Sequence, residues 1–324
     1  MQIYRDLAEI KQPFAKAHIT IGNFDGVHTG HQILFSEVVT RAYRDRGTSV
    51  VVTFDPHPLK VVRPDIGIKL ISTFEQKQEL IALANINVLI VIPFSREFAT
   101  TPAATFVDEV LIKTLGVKEL VVGYDYAFGK NRQGDIAFLQ EQGRQKGFPV
   151  TVVEPFYVDG MLVSSSKVRE LVALGQMRDV KKLLGRNYQI RGEVMQGRHR
   201  GGPLVGFPTA NLNISEEDLC PRHGVYVTQV IYGGKCYGGV LNIGFNPTFG
   251  GEMLSAEVHI FDFNQDIYGQ PIKINLLQFL RGEQKFAGPM ELAAQIAKDC
   301  RTARKVLEHA QSDLLLSCEE KFNR

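Results

Sequence analysis

Two kinds of apolar pattern alternate along the first half of the chain. Short continuous runs rich in β-branched and aliphatic residues, HITIGNF (18–24), TSVVVTF (48–54), NVLIVIPF (87–94), KELVVGY (118–124) and FPVTVVEPF (148–156), have the length and composition of strands covered on both faces. Between them lie stretches with helical spacing: about His28 to Arg46, where Leu34, Val38 and Ala42 form a stripe, then AATFVDEVLIKTLG (103–116) and GDIAFLQEQGRQKG (134–147). This alternation, kept up to about Phe156, predicts a parallel sheet with helices packed on it, the α/β arrangement.

The pattern changes around Arg186. YQIRGEVMQG, GVYVTQVIYGGKCYGGVLNIG, SAEVHIFDF and PIKINLLQFLR are β-rich runs punctuated by Gly and Pro with no long helix between them, which predicts an antiparallel all-β barrel or sandwich. A helix from Pro289 to about Gln311 follows, its stripe of Leu292, Ile296, Ala303 and Leu307 suited to closing over the barrel. The domain boundary is expected near residue 185, between SSSKVRELVALGQMRDVKKLLG (164–185) and the first β run, giving domains 1–185 and 186–324.

A chain of 324 residues with 44% hydrophobic and 22% charged side chains can bury a large core in two domains. Lys and Arg number 37 against 35 Asp and Glu, so a net charge of +2 argues against a broad grip on nucleic acid or an anionic membrane, and any anion must be held locally. The charged N-terminus and the lack of a run of roughly 18 apolar residues point to a soluble, cytoplasmic protein. Cys220, Cys236, Cys300 and Cys318 show no CxxC pairing and read as reduced structural thiols. No GxSxG or GxxxxGK[ST] occurs, so neither a serine nucleophile elbow nor a P-loop is expected.

Candidate chemistry begins at TIGNFDGVHTGHQ (20–32), where the first buried strand runs into a helix start. Ligands of parallel sheets bind beyond the carboxyl ends of the strands, where helix N-termini offer free N–H groups. Gly22, Gly26 and Gly30 would let backbone approach a ligand, and His28 and His31 can point along one helical face toward phosphate oxygens. Spacing alone also fits two ordinarily packed or solvated histidines. Likewise Asp55 and His57 in FDPHP fit a turn carboxylate and a strand-end histidine, and the serines of SSSKVR fit a helix N-cap.

Taken together, GNFDGVHTGH, FDPHP, GYDYAFG (123–129) and SSSKVR (164–169) resemble the FMN adenylyltransferase module of bacterial bifunctional riboflavin kinase/FAD synthetases. GRHRGGPLVGFPTANL (197–212), LNIGFNPTF, SAEVHIFDF and LRGEQKF resemble the riboflavin kinase module of the same family, so the resemblance covers essentially the whole chain. It implies a Rossmann-like nucleotidyltransferase domain followed by a kinase-type barrel, with riboflavin, FMN, FAD, ATP, ADP and pyrophosphate as substrates and products and Mg²⁺ as cofactor. A homo-oligomer is compatible with it.

In the first domain the resemblance implies that His28 and His31, with Gly22, Phe24 and Gly26 around them, bind ATP and stabilise the charge developing on its phosphates. Ser164, Ser165 and Arg169 would close the other side of the clamp, and Asp55, His57, Asp125 and Phe128 would line the flavin cleft. Tyr126 stands where phenylalanine is common, and a third serine where the family usually has threonine. In the second domain it implies a glycine-rich ATP flap including Gly197, Gly201 and Gly206, Mg²⁺ and ATP on Thr209 and Asn211, Glu257 as general base, and Arg281 and Phe286 on the flavin side. The flap has Gly202 where arginine is common, with an apparent extra residue before Gly206; Arg198 or Arg200 could substitute. From pattern alone Glu257 is equally a solvated strand residue, Arg281 a barrel-edge ion pair and Phe286 core. Two other functions remain open at this point: a nucleotidyltransferase with another acceptor, against which GFPTAN argues, and a flavin-binding carrier or regulator.

Overall fold

The computed structural model describes the backbone of residues 1–195, 206–215, 217–248 and 251–322, with side chains for all of these except 245–248, 251–254 and 310–322. The described chain divides into two compact units, Met1–Val168 and Arg169–Arg324.

The first unit runs β1 (Gln2–Tyr4), β2 (Ala17–Ile21), α1 (Thr29–Asp45), β3 (Thr48–Asp55), α2 (Pro58–Val62), α3 (Phe74–Leu83), β4 (Val88–Pro93), α4 (Ala103–Thr105, continued by π-helical Phe106–Thr114), β5 (Val117–Gly123), α5 (Ile136–Lys146) and β6 (Val150–Val153), then a small hairpin of β7 (Tyr157–Val158) and β8 (Met161–Leu162). The six-stranded sheet has the order β1-β4-β3-β2-β5-β6, with every pairing parallel. Alternate residues of each strand face opposite helical layers. Ile19, Val50, Val52, Ile90 and Val122 pack with Phe106, Leu111 and Leu139 on one side, while Val51, Leu89, Val91 and Val121 pack with Leu34, Phe35, Val38 and Ile81 on the other. The buried runs of the sequence are therefore strands covered on both faces, as expected. Elements outside those expectations include the short edge strand β1, the helices α2 and α3, and the β7–β8 hairpin.

Helix α6 (Ser165–Ala173) crosses from the first unit into the second, followed by α7 (Met177–Leu184), β9 (Tyr188–Met195), β10 (Ala210–Asn213), β11 (Gly224–Tyr232), β12 (Lys235–Thr248), β13 (Gly251–Ile260), β14 (Pro271–Arg281) and α8 (Pro289–Phe322). The strands close into an antiparallel barrel in the order β10-β13-β12-β11-β14-β9. One set of alternating side chains, Val225, Val227, Val240 and Phe261, packs against Cys300 and Ala303 of α8. The other set, among them Tyr226, Leu241, Ile243, Ala256 and Val258, is fully buried within the barrel. The terminal helix thus covers the barrel as its apolar stripe predicts, and it runs on to Phe322.

The change of sequence pattern lies at residue 185, whereas the contacts divide the chain at Val168/Arg169. Helix α7 accounts for the difference: Met177, Val180, Leu183 and Leu184 are buried, and the helix packs on β9 and β14. Its Arg178 donates to Gln278 of β14 at 2.8 Å.

Candidate active sites

Three of the motifs singled out in the sequence leave neighbouring strands at the same edge of the sheet. FDPHP ends β3, GNFDGVH follows β2 and GYDYAFG follows β5, and the order β3-β2-β5 sets them side by side at the carboxyl ends. The chain turns from one side of β2 to the other between β4 and β5, so this is the sheet's topological switch point, where open parallel sheets form their binding crevice.

The turn after β2 is held in a constrained form. Phe24 and Val27 have φ of 48° and 41°, values that side chains other than glycine rarely adopt, with Gly26 between them at 80°. Buried Asp25 fixes the turn: its carboxylate accepts the Ile71 N–H at 3.0 Å and the Ser72 N–H at 3.3 Å, while the Gly26 N–H donates to Ser72 Oγ at 3.2 Å. A Cβ on Gly22 would stand 2.9 Å from the Phe24 ring, so that position admits only glycine unless the ring moves.

His28 is the N-cap of α1, its Nδ1 accepting the His31 N–H at 3.3 Å. An accepting Nδ1 leaves Nε2–H as the donor of that ring. The two imidazoles stack with centroids 3.5 Å apart and planes 20° from parallel. Burial first, then His28 and Lys77, hold His31 well below its ordinary 6.5, so it is uncharged at neutral pH. Phe24 is buried edge-on to His31, centroids 5.1 Å apart, and rests on Phe35; it supports the imidazole from below.

Ser164 Oγ accepts the Lys167 N–H at 3.2 Å, the capping contact that its position suggests, and Ser165 Oγ donates to the Asp25 carbonyl at 3.0 Å. SSSKVR is thereby tied to the histidine turn. Arg169 lies on α6 one turn after Ser165, at the first position of the second unit. His57 also caps a helix, its Nδ1 accepting the Leu59 N–H of α2 at 3.2 Å, while Asp55 is exposed at the end of β3. Asp125 is exposed. Phe128 is half-buried in an aromatic cluster, 5.2 Å from Phe106 and stacked on Tyr126 at 5.7 Å.

In the barrel, strand register assembles the second set. Asn211 on β10 pairs with Glu257 on β13, Glu257 with Asn242 on β12, Asn242 with Val225 on β11, and Val225 with Arg281 on β14. The row lies on the face of Val225 and Val240, which is the face turned to α8, and Glu257 is half-buried there while Ala256 and Val258 point inward. Asn211 brings an amide oxygen opposite that carboxylate, and Thr209, with its hydroxyl, immediately precedes β10; both are half-buried. This donor set fits Mg²⁺, a hard ion that takes oxygen ligands and keeps waters and phosphates in its shell. His259, two residues after Glu257, donates from Nδ1 to the Pro208 carbonyl at 2.8 Å and meets the Phe207 ring edge-on at 5.3 Å, anchoring the GFPTAN turn on β13. Gly206 is an exposed turn residue at φ 75°; Gly197 and Gly201 of the flap lie outside the described residues.

Arg281 forms a bidentate pair with buried Asp299 of α8, Nη2 donating to Oδ2 at 2.8 Å and Nε to Oδ1 at 3.2 Å, and its guanidinium lies 5.8 Å from the Phe286 ring centre. The ion pair that the pattern allowed is present, and it leaves the flat guanidinium fixed under an aromatic ring. Phe286, with Gln284, Glu291, Gln295 and Lys298, lines a cleft of about 530 Å³. Gln295 also donates to Asp299 at 2.8 Å.

Sequence reading passed over Asp25, Lys77, Asn242, His259 and Asp299. A signal existed for Lys77: Thr73-x-x-Gln76 has the spacing of a capping box, and Thr73 does cap α3, accepting the Gln76 N–H at 3.2 Å. Asp299 had no local signal, because its partner is 18 residues away on another element.

Comparison with known proteins adds independent evidence. Residues 10–167 match the family model described as FAD synthetase, and residues 184–307 that described as riboflavin kinase. The chain is similar to the bifunctional riboflavin kinase/FMN adenylyltransferase of Escherichia coli, 36% identical over 94% of this chain and 97% of that protein. The enzyme of the same description from Bacillus subtilis is 37% identical over 91% of this chain and 93% of its own length. A solved structure described as a macrolide-efflux protein from Streptococcus pneumoniae superposes with a TM-score of 0.84 at 31% identity, covering 93% of this chain and 98% of that one. Among the described residues no helix is long and apolar enough to cross a membrane.

Proposed function

Because this chain belongs to the bifunctional riboflavin kinase/FMN adenylyltransferase family, with FMN adenylyltransferase activity in its N-terminal half and riboflavin kinase activity in its C-terminal half, we propose that each reaction runs at one of the two sites described above, on its own residues. The observation that supports this reading is a convergence: motifs far apart in the chain meet at one edge of the sheet in the first unit and in one row of the barrel in the second.

In adenylyl transfer an FMN phosphate oxygen attacks the α-phosphorus of ATP and pyrophosphate leaves. The attacking oxygen is already ionised at neutral pH, so no base is needed and catalysis reduces to positioning and charge stabilisation. The N-terminus of α1 offers its dipole, and His28 and an uncharged His31 offer ring N–H donors. Ser165 takes the far side of the polyphosphate, with Ser164 keeping its helix capped. Asp55, His57, Asp125 and Phe128 border the flavin, with Phe128 acting through the aromatic wall it belongs to.

In the kinase reaction the riboflavin 5′-hydroxyl attacks the γ-phosphorus of ATP, its proton passes to Glu257, and ADP leaves. Thr209 and Asn211 would hold Mg²⁺, which when bound neutralises charge on the nucleotide phosphates. Arg281 and Phe286 present a guanidinium and an aromatic face to the flavin. The reactions are consecutive, since the FMN made in the barrel is the acceptor in the α/β unit, and the cytoplasm is where both substrates meet. Incubating the purified protein with riboflavin, ATP and Mg²⁺ and resolving the flavins by chromatography tests this: FMN and then FAD accumulate, whereas FMN alone removes the first-unit assignment and no conversion removes both.

A further inference from the structure

Lys77 is a charged residue in an expensive place. It lies on α3, its side chain nine-tenths buried, under the turn that carries the histidine pair. Its ammonium donates to the Asn23 carbonyl at 3.3 Å and to Thr53 Oγ1 at 3.2 Å, and Thr53 Oγ1 itself donates to the same carbonyl at 3.2 Å. One triangle thus joins α3, the β2–α1 turn and β3. The ammonium also lies 5.4 Å from the centre of the Phe74 ring.

Packing does not explain a lysine here, since a methionine would fill the same space without desolvating a charge. Nor do its hydrogen bonds, which go to neutral oxygens. The carboxylates that act on it are Asp25, on the histidine turn, and Asp55, in FDPHP; burial lowers the lysine and these two partly restore it. The titratable groups acting on His31 are His28 and Lys77 itself. Lys77 therefore connects electrostatically to two turns of the first site, GNFDGVH and FDPHP, through a single buried charge.

Resting on the assignment of adenylyl transfer to His28 and His31, we propose that Lys77 is a positioning residue for that reaction: its ammonium ties the Asn23–His28 turn to β3 and holds a fixed positive charge beside the histidine pair. It acts through the turn and the imidazoles, and touches neither substrate. The turn, already strained at Phe24 and Val27, stays in the form that presents both histidines, and the neighbouring charge adds to burial and His28 in holding His31 below its ordinary value.

Lys77→Met removes the charge and keeps the volume; Lys77→Gln keeps hydrogen-bonding capacity without charge; Lys77→Arg keeps the charge. In Met and Gln variants kcat for FAD formation from supplied FMN should fall on the order of 10- to 100-fold, the scale expected for a small misplacement of reacting groups, with KM for FMN changed far less. The titration of the His31 imidazole, followed by NMR, should move to higher pH, because a repelling cation is gone, and any inflection that His31 contributes to the pH–rate profile should move with it. Lys77→Arg should restore the titration. Riboflavin phosphorylation by the same molecules should be unchanged. An unmoved His31 titration overturns the proposal, as does loss of the first unit's thermal transition in both the Met and Gln variants, which makes the ammonium a folding requirement. His31→Ala run alongside separates the two claims: full FAD formation by it overturns the site assignment itself, while its inactivity beside a normal Lys77→Met overturns only the role of Lys77.

Discussion

Asn211 on β10 stands directly opposite Glu257 on β13, and this pairing puts a metal-ligating type of amide beside a carboxylate that 45 residues of intervening chain would otherwise separate. Opposed residues in an antiparallel pair have Cβ atoms roughly 4.5–5.5 Å apart, within reach of one phosphoryl group. The relationship depends on register. A slip of one residue would turn Glu257 into the barrel and bring Ala256 or Val258 out, so the buried positions that stabilise the barrel also aim the carboxylate proposed as its base.

The cap that His28 provides and the catalytic role proposed for it can be separated by substitution. His28→Ala removes the N-cap of α1 as well as the Nε2–H donor; His28→Asn keeps a good cap and removes only the imidazole. FAD formation should lose about 2–4 kcal/mol of transition-state stabilisation in both, by analogy with deleting one oxyanion donor. Thermal stability should fall by about 1 kcal/mol in the alanine variant alone. FMN formation should be unaffected in either; equal loss of both activities would contradict separate sites.

The neutral state of His31 gives the first unit a pH signature. Its folded-state value lies below the ordinary 6.5, so below that pH the unfolded chain binds the proton first and stability declines as pH falls toward the folded value. The thermal midpoint of the first unit should drop between pH 7 and pH 5, and less steeply in His31→Ala. An identical slope in the two proteins would show that His31 titrates normally.

Asp299 holds Arg281 from the terminal helix, and its removal should be felt on the kinase side only. Asp299→Asn keeps shape but not charge at a buried pair; we expect a loss of about 1.5–3 kcal/mol in barrel stability, the range for hydrogen bonds to charged groups. A raised KM for riboflavin with unchanged FAD formation from FMN is the kinetic counterpart, checked by assaying the two half-reactions apart.

How much of this was legible in the sequence varies with the range of the interaction involved. The parallel strands could be read because burial on both faces gives runs such as VVVTF and VLIVI that admit little else. Helix α3 was hidden because Gln76 and Lys77 occupy buried positions, breaking the apolar stripe that periodicity detects. The histidine turn announced itself through local glycine and histidine spacing, but the cap on His28 and the anchoring by Asp25, which reaches Ile71 and Ser72, did not. The row from Asn211 to Arg281 was visible only as separate motifs, since register between distant strands is set by the whole barrel core.

Where the chain can be cut follows from α7. A fragment beginning at Arg169 keeps Met177, Val180, Leu183 and Leu184 on the barrel and should fold and phosphorylate riboflavin. One beginning at residue 186 exposes the surface they cover. At about 1.5–3 kcal/mol per buried apolar side chain, the loss rivals the whole stability of an ordinary domain, so that fragment should be insoluble or unfolded. Circular dichroism and kinase assays of the two fragments decide; a folded, active 186–324 fragment would show α7 to be dispensable.

The central claim is that two independent sites act in sequence on one chain, and the half-reactions of Glu257→Gln test it most directly. Glutamine preserves size and hydrogen-bonding reach but cannot take the proton of the 5′-hydroxyl, so riboflavin phosphorylation should slow by about 10²–10⁴-fold with little change in binding. FAD formation from supplied FMN should proceed at its original rate, because that acceptor needs no base and its site lies in the other unit. Undiminished phosphorylation would reduce Glu257 to an ordinary strand residue, and parallel loss of both half-reactions would contradict the independence of the two sites.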